Sequence, residues 1–389
     1  EQARARYRKL IEAVQGAFVK HLDASGWPPS GLNANADTFD RLVAEPLKDN
    51  GHKVAYIMVD ALRYELGVAL QKMLSEDGPV ELEAAYAQLP TITAVGMASL
   101  LPGARADLDL RQANGALAPF LGETPVANVQ QRMAYLAKRY GDRFAELTLT
   151  DFLRSKAKVA DSVDLLVLRS TEIDQHLETN PETTLRFIPT TLRSIRAAIH
   201  KLRGLGFQEA VVVTDHGFFL NASSGAGDVG VKPQGNWLVN AHDRLLLGDG
   251  TPDAHNLVVS AEKLGVKGEF AQVAMPRGMV SYRSGHLYFH GGASLQEAVV
   301  PVLIASLGDA ETGETRRIDI EIAYKNGATR VTTRVPVIDV TLMADMFSQD
   351  RTLEILLEAQ DGKGNVVGEP RPGGDVNPAS RAVTLVPGK

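Results

Sequence analysis

The chain has 389 residues, with 41 basic and 47 acidic side chains and a formal net charge of −6, an ordinary soluble composition long enough for two domains. It contains no cysteine, which excludes disulfides, thiolate metal sites and cysteine nucleophiles and fits a cytoplasmic location. No apolar run approaches the roughly 20 residues of a membrane helix, so no membrane partner is expected.

The chain begins at Glu1 without Met or a signal peptide and reads as a fragment of a longer protein. The opening ARARYRKLIEAVQGAFVKHL sets Leu10, Val14, Ala17 and Phe18 at three- and four-residue spacings, which predicts an amphipathic helix. The next stretch, SGWPPSGLNANAD, is a loop by its Pro, Gly and Asn content. Residues 1–48 are thus a short N-terminal helical segment.

From HKVAYIMVDALRYE onward, strands and helices alternate. VAYIMV, VELEAAYAQLP, VDLLVLRS and EAVVVTD read as strands, and LRYELGVALQKML, VQQRMAYLAKRY and TTLRSIRAAIHKLRGLG as helices. This is the α/β pattern of a mostly parallel sheet covered by helices on both faces, assigned to residues 49–309. Beyond it, alternation around Asn326-Gly327 predicts a β-hairpin, and LEILLEAQDGKGNVVGEP repeats the theme. Residues 310–389 are therefore expected to form a C-terminal all-β sandwich module, a structural or docking surface.

Several of the predicted strands end on residue types that bind metals. VAYIMVD ends at Asp60, DLLVLRSTEID leads to Asp174 with His176 and Glu178 just after, and VVVTDHGFF presents Asp215 and His216; LYFHGGASLQE later supplies His290. Each alone could be a solvated strand end. Carboxylates and imidazoles gathered at one sheet edge, however, repel or desolvate one another unless a cation neutralises them. In LPTITAVGMASLLPG, Thr91 and Thr93 precede a small-residue helix. A Thr there can be a helix N-cap, or a nucleophile with backbone amides nearby for phosphate oxygens.

Other residues carry weaker signals. Arg63 in DALRYE can hold a phosphate oxygen or pair with Glu65, and Lys232 in KPQGNW sits in a Gly-rich loop. Arg132, Lys138, Arg139, Arg143, Arg154, Lys156 and Lys158 form a basic stretch that reads first as a solvated face and second as a nucleic-acid track. His286 lies four residues before His290, but across an apparent strand that spacing is about 13 Å, too far for a shared ligand role. GAGDVG leads into no helix pattern, so it is no dinucleotide fingerprint. Serine-hydrolase, zincin and P-loop strings are absent from the sequence.

The ordered set VDALRYE, LPTITAVGMASLLPG, STEID, VVVTDHG, KPQGNW and HGGASLQEAVVPV resembles the PglZ domain, over about residues 50–305. That family is a branch of the alkaline phosphatase superfamily found in bacterial BREX phage-defence systems. The resemblance implies an alkaline-phosphatase-like core and phosphoester hydrolysis at two divalent metal ions, zinc first, with manganese or magnesium as alternatives. It implies that Asp60, Asp215 and His216 hold one metal, that Asp174 and His290 belong to the second, and that Thr93 is the nucleophile.

The superfamily usually supplies a His where this chain has Glu178; PglZ-like chains can carry a carboxylate there, so Glu178 is taken as the ligand and His176 as its alternative. Arg63 and Lys232 are the expected substrate-binding residues. The implied partners are a phosphate ester, with nucleic acid as one candidate, and other BREX proteins. Two readings rival this one: a catalytically weak scaffold that assembles a defence complex, and a phosphomutase, for which the chain between SLLPG and DLLVL is short of a lid domain.

Overall fold

The computed structural model describes residues 2–29, 33–113, 115–154, 158–179, 187–220, 229–241, 244–283, 287–308, 320–325, 335–342, 353–362, 366–371, 376 and 382–385. They fall into two compact units, Glu1–Phe152 with Ala157–Gly308, and Leu153–Lys156 with Asp309–Lys389.

The larger unit is built on a six-stranded sheet. In chain order its strands are β1 (Val54–Val59), β2 (Val80–Tyr86), β3 (Phe144–Thr148), β4 (Leu165–Ser170), β5 (Glu209–Thr214) and β6 (Val299–Ser306). The spatial order is β2-β6-β5-β1-β4-β3. β1 pairs in parallel with β4 and β5, and β3 with β4; β6 alone runs antiparallel to its neighbours. All six residues of β1 are buried, as a continuous apolar run flanked on both faces requires.

The longer described helices of this unit are α1 (Gln2–Ser25), α2 (Tyr64–Leu74), α3 (Thr93–Ser99), α4 (Val129–Tyr140), α5 (Glu172–Thr179) and α6 (Ile188–Gly204). Val54, Tyr56 and Met58 of β1 point to one face, where they cluster with Met97 of α3 and with Met133 and Leu136 of α4. α2 packs on β2 and β6 and touches α6. α6 buries Leu192, Ile195, Ala198, Ile199 and Leu202, the stripe its three- and four-residue spacings predict. Asn128 caps α4 with a reciprocal capping box to Gln131.

The buried face of α1 differs from the expected one. Leu10 is 61% exposed and Ala17 is exposed too, whereas Gln15, Val19 and Leu22 are buried. The reason is tertiary: Phe18 meets Trp27 edge-on, and Val19 and Leu22 join a cluster with Trp27, Leu257 and Leu264. A four-stranded antiparallel sheet made by Gly235–Ala241, Leu245–Gly250, Gln272–Pro276 and Asn256–Ser260 supplies part of that cluster.

Among the described residues of the smaller unit beyond Asp309, Ile320–Tyr324 pairs with Ile338–Leu342, Leu353–Leu356 with Ala382–Leu385, and Ala359–Gln360 with Val366–Gly368, all antiparallel. Asn326 and Gly327 lie outside the described residues. On either side of them Tyr324 pairs with Ile338, so a two-residue turn at Asn326-Gly327 does not join these two strands. Alternation identified strands there without fixing which strand each one meets.

Candidate metal centre

The parallel register aligns the carboxyl ends of three strands, since Val59 of β1 pairs with both Ser170 of β4 and Thr214 of β5. The next residues along β1 and β5 are Asp60 and Asp215, so two carboxylates leave the sheet side by side at its carboxyl edge, where open α/β sheets bind ligands. Asp60 is 4% exposed, and Asp215 and His216 are wholly buried. Ala61 takes a positive φ of 62°, a conformation an L-residue adopts only under constraint, and its amide donates to Asp215 Oδ1 at 3.1 Å. The His216 amide donates to the same oxygen at 2.9 Å.

α3 lies directly against this edge. A Cβ on Gly96 would come within 2.7 Å of Asp215, so only glycine lets the helix approach. Gly217 is equally constrained, because a Cβ there would meet the Gln296 carbonyl at 2.0 Å.

Two groups of ligand atoms result. Asp60, Asp215 and His216 form one, and Asp174, Glu178 and His290 the other, with the candidate ligand atoms of each group within 4.8 Å of one another. His216 Nε2 faces Asp215 Oδ2 at 3.3 Å and Asp60 Oδ1 at 3.9 Å. Its Nδ1 donates to the Gly217 carbonyl at 2.9 Å, which holds the tautomer that turns the Nε2 lone pair toward the carboxylates.

In the second group Asp174 and Glu178 sit one turn apart on α5, and His290 Nε2 lies 3.9 Å from Asp174 Oδ1. The groups adjoin, because the His216 and His290 rings stack with centroids 4.3 Å apart.

The residues fit divalent cations. Asp60 Oδ1 and Asp215 Oδ2 are buried without a hydrogen-bond partner, a costly arrangement for ionised oxygens that a cation would relieve. Burial, with neighbouring carboxylates adding to it, raises the Asp60 carboxyl well above its usual range and lifts Asp215 to about 7. Burial and the adjacent His216 push His290 down to about 4, so the imidazole stays neutral, as a ligand must. Glu178 is raised by partial burial and by Asp174.

Thr93 is not a helix cap. Ile92 occupies that position and Thr93 is the first helical residue; its Oγ1 lies 3.3 Å from His216 Nε2. His176 is exposed, stacks on Phe187 and stands outside both groups. Arg63 pairs with Glu65 at 2.5 Å and lies over the Phe218 ring. Lys232 is exposed. His286, His242 and Lys156 lie outside the described residues, and His255 is exposed. Within the basic stretch, Lys138, Arg139, Arg143, Arg154 and Lys158 are exposed as expected, but Arg132 is not: only 5% of it is accessible.

Sequence reasoning missed two supports. Tyr288 OH donates to Asp174 Oδ1. Thr91, fully buried, donates to the Gly292 carbonyl at 2.6 Å and accepts from the Gly291 amide at 3.0 Å, while its own carbonyl accepts from His290 Nδ1 at 3.1 Å. Local pattern could not reveal these roles, because the partners lie 114 and about 200 positions away.

Fold and site together define an α/β domain with two adjoining carboxylate–imidazole groups at the carboxyl edge of its sheet. The chain belongs to the family described as the BREX system PglZ alkaline phosphatase-like domain, whose model matches residues 38–305. It is 24% identical over 370 residues to the alkaline phosphatase-like protein PglZ of Bacillus cereus, covering 92% of this chain and 42% of that protein. It is 23% identical over 299 residues to the alkaline phosphatase-like protein BrxZ of Escherichia coli, covering 71% and 33%. The chain thus spans less than half the length of these curated relatives.

Among solved structures it is similar to murine ectonucleotide pyrophosphatase / phosphodiesterase 5, at 11% identity and a TM-score of 0.44 over 65% of this chain and 88% of that one. It is also similar to a phosphonoacetate hydrolase of Sinorhizobium meliloti in complex with phosphonoacetate, at 15% identity and a TM-score of 0.40 over 65% and 89%. No helix among the described residues is long and apolar enough to cross a membrane.

Proposed function

We propose that this domain is a metal-dependent phosphoester hydrolase that acts in the cytoplasm with other BREX proteins, with Thr93 as nucleophile. The observation that carries the reading is the adjacency of two carboxylate–imidazole groups, with the Thr93 hydroxyl oxygen 3.3 Å from His216 Nε2 of the first. Asp60, Asp215 and His216 would hold one divalent ion, and Asp174, Glu178 and His290 the second. Zinc is the first candidate, with manganese or magnesium the alternatives, since each group sets two carboxylates beside one imidazole. When bound, such ions lower the pKa of a nearby hydroxyl and neutralise charge on phosphoryl oxygens.

The chain's own contribution is positioning. α3 starts at Thr93, and Gly96 brings that helix against Asp215, so Oγ1 is held at the ligand edge. Attack forms the Thr93 Oγ1–P bond as the ester O–P bond breaks; the departing oxygen leaves as an alcohol with the threonine proton. Water then cleaves the threonine–phosphorus ester and restores the hydroxyl, releasing phosphate from a monoester substrate or a phosphate monoester from a diester. Nucleic acid is one phosphodiester this site could accept.

The test is turnover of bis(4-nitrophenyl) phosphate by metal-loaded wild-type, Thr93→Ser and Thr93→Ala protein. Loss of activity by at least about a hundredfold in Thr93→Ala, with metal content unchanged and partial activity in Thr93→Ser, is expected. Full turnover by metal-loaded Thr93→Ala would eliminate the phosphothreonine route.

A further inference from the structure

An open cleft adjoins the first metal group, with Asp60 and Thr93 on its wall. Met58, Met97, Val129 and Met133 line it with apolar surface, and Arg132 and Arg169 also belong to its wall. The two arginines differ in what they already hold. Arg169 is paired with Glu146 through Nε at 2.9 Å and Nη2 at 2.7 Å. Arg132 makes no ion pair among the described residues; its Nη1 donates to the carbonyls of Val126 at 3.3 Å and Ala127 at 3.0 Å. Its Nε and Nη2 donate to none of the described residues.

Arg132 remains cationic at neutral pH. Burial lowers its pKa to about 10, with Asp215 and Asp60 opposing that shift and Arg169 adding to it. The electrostatic balance then depends on the metal groups. Without cations, the ionised fraction of Asp60 and Asp215 offsets part of the Arg132 charge. With a divalent ion in each group, the carboxylates of Asp60, Asp215, Asp174 and Glu178 are balanced, and the buried guanidinium is left without a counter-charge beside another arginine. A buried cation in an apolar cleft attracts an anion more strongly than one in water.

We infer that Arg132 is a substrate-binding residue that donates from Nε and Nη2 to a phosphate oxygen held in this cleft beside Thr93. The two remaining donors form the planar fork that suits a phosphate. This assignment rests on the phosphoester reading above. It moves the phosphate contact from Arg63, which Glu65 already engages, and from the exposed Lys232 to a buried residue on α4.

Inorganic phosphate is the probe, added to the metal-loaded chain of 389 residues. In Arg132→Gln the inhibition constant of phosphate and the KM for bis(4-nitrophenyl) phosphate should each rise about tenfold or more, with metal content unchanged. Arg132→Lys, which keeps the charge and loses the fork, should fall between. Unchanged phosphate inhibition in a folded Arg132→Gln protein would reduce Arg132 to a structural clamp on the Val126 and Ala127 carbonyls.

Should both variants misfold, a phosphate soak of metal-loaded wild-type crystals decides. A phosphate oxygen about 3 Å from Nε or Nη2 supports the assignment, and phosphate bound elsewhere overturns it. The soak reads phosphate binding independently of turnover, so failure of the Thr93 mechanism would leave that arm of the test intact.

Discussion

The two candidate metal groups are built from different materials. Asp60, Asp215 and His216 stand at the ends of adjacent central strands, locked by ladder hydrogen bonds and all buried. Asp174 and Glu178 ride on an eight-residue helix and His290 on a loop, and Glu178 is exposed. The first group is therefore preorganised by the sheet, whereas the second depends on Tyr288 and Thr91 to hold its members. Preorganisation of this kind raises affinity because little ordering remains for the ion to impose. The first group should bind its ion tightly and the second should exchange more readily.

The sharpest break in that comparison is Asp215→Asn, which removes charge at nearly constant shape. It is expected to lose one equivalent of metal and to lower turnover by two orders of magnitude or more, as elemental analysis and phosphodiester assay would show. Retention of both ions with normal turnover would contradict the assignment of the first group. A smaller effect is expected of Tyr288→Phe, which removes only the hydroxyl that orients Asp174. Affinity at the weaker site should fall about tenfold to a hundredfold, with the tighter site unaffected, in a metal titration. Equal weakening of both sites would mean that the groups share one scaffold.

The smallest effect is a pH dependence of the metal-free protein. Asp215, at about 7, and the raised Asp60 keep protons in the folded state that the unfolded chain has already released. Ionising them as pH rises therefore costs stability, by up to about 1.4 kcal/mol per pH unit for each carboxyl. His290, lowered to about 4, works in the opposite sense below about pH 6.5, where the unfolded imidazole takes up a proton. The carboxyls thus act alone above about pH 6.5. The melting temperature of chelator-treated protein should fall between pH 6.5 and 7.5, and added zinc should stabilise more at the higher pH. A flat profile without metal would show that these carboxyls are not held protonated by the fold.

Local patterns were sufficient wherever the relevant partners are near in sequence or a ladder repeats. Continuous apolar runs gave strands buried on both faces, and three- and four-residue spacing gave the packed stripe of α6. Asp60 and Asp215 were legible because each directly follows a buried parallel strand, and that position has the same meaning in any open α/β sheet. What tertiary structure decided is everything set by contacts between distant segments. It turned α1 so that Leu10 faces solvent, placed Thr93 inside its helix with Ile92 as cap, and paired Tyr324 with Ile338.

It also buried Arg132, which its basic neighbours made look like part of a solvated face, and brought Tyr288 to Asp174. Composition and spacing report the preferences of a chain with its nearest residues. Burial and charge balance depend on which surfaces meet after the sheet has formed, and they set the surroundings of the candidate site.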